Sequence, residues 1–77
     1  MTSKMVDVTL HIDEDTTHEE RESLRDSLLS TRGVMSADYR DERPHLMIVA
    51  YDPEDVAPQA FVAAAQRRGY HAELIGF

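Results

Sequence analysis

Apolar residues mark out six elements along the chain. In Val6–Ile12 they alternate strictly, with Val6, Val8, Leu10 and Ile12 on one face and Asp7, Thr9 and His11 on the other. Strict alternation predicts a half-buried strand. From Thr16 to Gly33 the period changes to that of a helix, with Leu24 and Leu28 four apart and an N-terminal capping box formed by Thr17 with Glu20, or by Thr16 with Glu19. Glu19, Glu20 and Glu22 place negative charge where the helix dipole favours it, and Gly33 is read as the residue just past the helix end. Val34–Arg40 predicts a second strand with Ala37 and Tyr39 inward, and Asp41–His45 is a turn punctuated by Pro44. Leu46–Tyr51 is continuously apolar, as for a central strand covered on both faces. Pro58 falls in the first turn of a second helix with Phe61, Ala64 and Ala65 on its apolar side, ended by Gly69. A last strand follows, with Tyr70, Ala72 and Leu74 on one face.

The order is β-α-β-β-α-β with short connections. The expected fold is α+β: a ferredoxin-like sandwich, with a four-stranded antiparallel sheet and both helices on one face. Its expected core contains Val8, Leu10, Leu24, Leu28, Val49, Phe61, Ala65 and Ala72. With 77 residues the chain is read as a single domain over 1–77, of modest stability. The outward positions Leu46, Ile48, Ala50 and Ile75, with Phe77, would leave an apolar strip on the open face of the sheet.

The spacing of several short pieces narrows the picture. "GV" at 33–34, "YDP" at 51–53, Val56 and "GYHAEL" at 69–74 fall in the order and spacing seen in heavy-metal-associated domains. The chain resembles that family from Val6 to Leu74. The family includes copper chaperones, periplasmic mercury-binding proteins and the amino-terminal repeats of metal-pumping ATPases. The resemblance implies a Cys-x-x-Cys loop between the first strand and the first helix. Its two cysteine positions would fall on Thr17 and Glu20, with His18 and Glu19 between them. The resemblance also implies that Tyr70 packs beside that loop, where the residue itself reads as core packing.

The chain has no cysteine, so neither a disulfide nor a thiolate metal site can form. A hydroxyl and a carboxylate do not replace thiolates for copper(I), so copper(I) binding is not expected. The four histidines are different. In this topology His11, His18, His45 and His71 are expected at one end of the sheet, beside Asp13, Glu14, Asp15 and Glu19. Imidazole with carboxylate suits zinc, nickel or copper(II). His11, His18, His71 and Glu20 are therefore the candidate metal ligands. The tightest expected pair is His11 with His71, across the first and last strands, with Glu73 or Asp13 as a third ligand. An ordinary polar loop and an unmetallated cross-strand pair explain the same residues.

Charge removes other classes. Fifteen acidic against eight basic side chains give a formal net charge of −7. Such a chain repels phosphate backbones and anionic membrane surfaces, and it favours cations and basic protein surfaces. A protein partner or a homodimer is expected through the acidic loop 13–20 or the open sheet face, with neither nucleic acid nor membrane as a partner. No serine or cysteine triad, glycine-rich phosphate loop or zinc-protease pattern is present, and no enzymatic activity is expected. The start, "MTSKMVDV", lacks an apolar targeting core, so a cytoplasmic location is expected. Function is read as an accessory or interaction module, or a weak carrier of a borderline divalent metal. The alternative is a small-molecule-binding regulatory domain of the ACT type, which shares the topology.

Overall fold

The structure is a computed structural model that describes residues 4–75. The expectation for Phe77 lies outside the described residues. The elements are β1 (Val6–Ile12), α1 (His18–Leu29), β2 (Val34–Tyr39), β3 (Leu46–Tyr51), α2 (Gln59–Arg67) and β4 (Ala72–Ile75). The strands form one antiparallel sheet in the order β2-β3-β1-β4. This is the ferredoxin-like sandwich expected from the pattern.

The alternation in β1 acts as read: Val8, Leu10 and Ile12 are buried under the helices. Leu24 and Leu28 of α1 and Phe61, Ala64 and Ala65 of α2 meet them, together with Ala37, Met47, Val49 and Tyr51 from the sheet. Tyr51 and Phe61 pack edge to face, with ring centroids 5.1 Å apart. That geometry suits the ring quadrupoles. Ala72 is partly buried and packs against this core rather than lying within it.

Three details differ from expectation. β3 is covered on one face only: Met47, Val49 and Tyr51 are buried, whereas Ile48 is exposed and Leu46 and Ala50 are half-buried. Its unbroken apolar run reflects the outward apolar row that the topology leads one to expect on the open face, because both helices lie on the other side. Gly33 is not the residue just past the helix end. α1 stops at Leu29 with Ser30 as its C-cap, and Gly33 sits three residues further on, in the turn into β2. Its φ is +91°, and a Cβ there would stand 2.7 Å from that of Asp55 and 3.0 Å from Cγ1 of Val56. Pro58 stands at the N-cap of α2, one residue before its first helical turn. Gly69 does end α2 as read: its N–H donates to Gln66 O and that of Tyr70 to Ala65 O, closing a Schellman motif.

Candidate functional site

The fold gathers the C-terminal end of β1, the N-terminus of α1, the β2–β3 hairpin and the start of β4 at one end of the sheet. Each of the four histidines is there, and each has a carboxylate beside it. His11 Nδ1 lies 3.2 Å from Asp13 Oδ1, and His45 Nε2 lies 3.3 Å from Asp15 Oδ1. His71 Nδ1 lies 2.6 Å from Glu14 Oε2, and His18 Nδ1 lies 3.1 Å from Asp41 Oδ1. Three successive loop carboxylates, Asp13, Glu14 and Asp15, thus face three histidines from three different segments.

The positions that the resemblance assigns to cysteines are occupied by a helix cap. Thr17 Oγ1 accepts from the Glu20 N–H at 3.1 Å, and Glu20 Oε1 accepts from the Thr17 N–H at 2.8 Å. Thr17 is therefore the N-cap, which decides between the two registers that the sequence allows. The backbone N–H of Thr17 holds the Glu20 carboxyl below its ordinary range. Tyr70 is half-buried against the core and lies near Glu20, so its phenol is pushed upward by burial and by that carboxylate. Both expectations for Tyr70 describe what it does. The two side chains at 17 and 20 are bonded to each other and carry hard oxygen atoms. They do not fit a soft-metal pair.

His18 points away from Glu20, to the hairpin. Its Nδ1 donates to both oxygens of Asp41, each at 3.1 Å, and Asp41 holds the imidazole above its usual pKa. Asp41 also accepts from Arg21 Nη2 at 2.9 Å and is held below the usual carboxylate range, first by His18 and then by Arg21. Arg21 is buried at 7% exposure and donates to the Thr16 carbonyl as well. Its guanidinium lies 5.9 Å from the centre of the Tyr39 ring. The Tyr39 hydroxyl donates to Glu22, which pushes the phenol up to about 12. The sequence pattern marks Tyr39 only as an inward strand residue and Asp41 only as part of a turn, and gives neither of them, nor Arg21, a place in the site. Arg21 had a signal: it stands three residues before Leu24 and seven before Leu28, on the same helical stripe.

His11 has the most converging surroundings. It lies opposite Glu73 on β4 and opposite Leu46 on β3. His71 falls two residues before Glu73, on the diagonal from His11, and its ring is taken by Glu14. One donor atom each from His11, Asp13 and Glu73 lies within 4.8 Å of the others. The partner ring of His11 is His45, stacked at 5.9 Å with an interplanar angle of 20°. His45 Nδ1 lies 2.7 Å from the Ile12 carbonyl, which can only accept, so that nitrogen carries the proton. Of the four candidate ligands, the structure brings His11 together with Asp13 and Glu73. It leaves His18, His71 and Glu20 with separate partners.

No helix among the described residues is long and apolar enough to cross a membrane. No family model matches the sequence, and no curated protein matches it significantly. Solved structures do match. Oxidized MerP from Ralstonia metallidurans CH34 superposes with a TM-score of 0.84 at 19% identity, over 95% of this chain and 100% of that one. The N-terminal domain of a potential copper-translocating P-type ATPase from Bacillus subtilis, in its Cu(I)-loaded state, gives 0.85 at 19% identity, over 95% and 90%. The CopZ metallochaperone gives 0.79 at 24% identity, over 88% and 100%. The chain has the fold of the heavy-metal-associated domains and no cysteine from which to build their Cys-x-x-Cys pair.

Proposed function

We propose that the protein is an accessory domain of metal handling that carries a borderline divalent cation weakly, through histidine and carboxylate side chains, and does not carry copper(I). The observation that supports this most directly is the pairing of every histidine with a carboxylate at one end of the sheet. Imidazole and carboxylate are the donor set of zinc, nickel and copper(II). The metal-handling neighbours favour this reading over an ACT-type regulatory domain. The acidic end, within a chain of net charge −7, suits a protein partner with a basic surface.

Titration with zinc, nickel and copper(II), followed by NMR, tests the proposal. Shifts confined to the histidine end at low stoichiometry are expected. A protein that responds to none of the three metals, or that retains copper(I) against a strong chelator, would sink it.

A further inference from the structure

We infer that His11, Asp13 and Glu73 form one divalent-cation site on the open face of the sheet, taking zinc or an ion of similar hardness. It rests on the proposed function and assigns that function to one place, away from the helix-cap positions 17 and 20.

The backbone builds most of this site. Leu10 and Ile12 are buried under the helices, so His11 between them points to the open face. The antiparallel register of β1 and β4 puts Glu73 directly opposite. Asp13 follows β1 and is fixed by its N–H, which donates to the His71 carbonyl at 2.9 Å. The stacked His45 ring limits how His11 can turn, and His45 is itself pinned to the Ile12 carbonyl. His45 is thus a positioning residue for His11.

The second observation is the state of His11 Nδ1. This nitrogen is closed to solvent and has no aligned hydrogen-bond partner, although Asp13 Oδ1 is only 3.2 Å away. A buried polar atom without a partner is costly and uncommon. A cation would give the nitrogen a ligand and offset the two carboxylates together. Tetrahedral zinc with bonds of about 2.0–2.2 Å needs donors roughly 3.4 Å apart. The present spacing, within 4.8 Å, closes by rotation of Asp13 and Glu73, both of which are exposed. Three protein donors leave a fourth position open, so the ion is expected to exchange readily with an outside donor.

The other pairs are poorer. The carboxylate beside His18 already binds the Arg21 guanidinium, a fixed positive charge that repels a cation. His71 has a side chain 82% exposed, with Glu14 as its partner.

The test is a zinc titration of the whole chain, read by backbone amide shifts and by calorimetry. The largest shifts are expected at 11–13 and 72–74. His11→Ala is expected to lower zinc affinity roughly tenfold or more, Glu73→Gln by about threefold to tenfold, and His18→Ala by less than about twofold. Glu73 is exposed on an edge strand, so Glu73→Gln carries the test even where His11→Ala fails to fold. Zinc bound with undiminished affinity by both variants, or shifts centred on His18 or His71, would overturn this site while leaving the proposed function standing. No response to any divalent metal would overturn both.

Discussion

Thr17 and Glu20 close the start of α1. Their reciprocal hydrogen bonds satisfy two N–H groups that the start of a helix leaves free. Thr17→Ala is expected to cost about 1 kcal/mol in urea denaturation, and Thr17→Ser to restore most of it. His18 makes a second residue-scale prediction. Its imidazole is raised by the Asp41 hydrogen bond and charge, and by the more distant Glu22 and Glu19; Asp41 is lowered by His18 and Arg21. A raised imidazole stabilises the fold fully below its unfolded pKa of about 6.5, and that contribution is lost as pH rises through the higher folded value. The lowered carboxyl contributes above its unfolded pKa of about 3.9 and loses its contribution as pH falls through the folded one. The pair therefore contributes most between about pH 4 and 6.5. Because both groups are more than half exposed, the gain is small and screened by salt. An NMR titration should place the His18 midpoint above 6.5, and Asp41→Asn should move it down. A midpoint unmoved by that variant would remove Asp41 as the cause.

At the scale of elements, two glycines with positive φ among the described residues separate two roles that look alike in sequence. Gly69 has φ +89° and open space around its missing Cβ. Gly33 has a similar φ, but the turn after β3 presses against it, and its carbonyl accepts from the Asp52 N–H at 2.8 Å. Gly69→Ala is expected to cost about 1–2 kcal/mol for the backbone alone. Gly33→Ala adds a steric conflict and should cost at least about 1 kcal/mol more. Comparing the two denaturation midpoints checks this, and equal losses would mean that the turn yields freely. The same contrast shows what could be read in advance. Alternation in β1, the capping box of α1 and the end of α2 were legible because each depends on residues close in sequence. The end of α1 was not, because what holds Gly33 is a contact with Asp55, 22 residues away. The covering of β3 was read two ways for a related reason: its apolar run suggested cover on both faces and the topology an open outward row, and the run alone does not reveal whether a second layer exists to cover it.

The whole molecule is small enough for single core residues to decide whether it folds. A domain of this length buries only about 60% of its unfolded surface. Phe61 is fully buried and packs edge to face on Tyr51, and Phe61→Ala is expected to cost about 3–5 kcal/mol. That is a large share of the roughly 5–15 kcal/mol that small domains possess. Circular dichroism should show the variant largely unfolded well below the melting temperature of the parent. The candidate site was partly legible at this scale. Topology alone brings the histidines to one end, and the strand pattern aims His11 at the open face. The partners chosen by His18 and His71 were not legible, because side-chain pairing within a polar cluster depends on rotamers and on loop geometry that no periodicity encodes.

The cap at Thr17 and Glu20 is assembled from side chains within a single helical turn, and it needs no ion to complete it. The start of α1 is therefore finished without an ion. A partner that feels only the start of α1 would meet the same shape whether or not an ion sat at the site proposed above. On the reading proposed above, news of occupancy would leave instead from the open face of the sheet, at the same end, where His11, Asp13 and Glu73 stand.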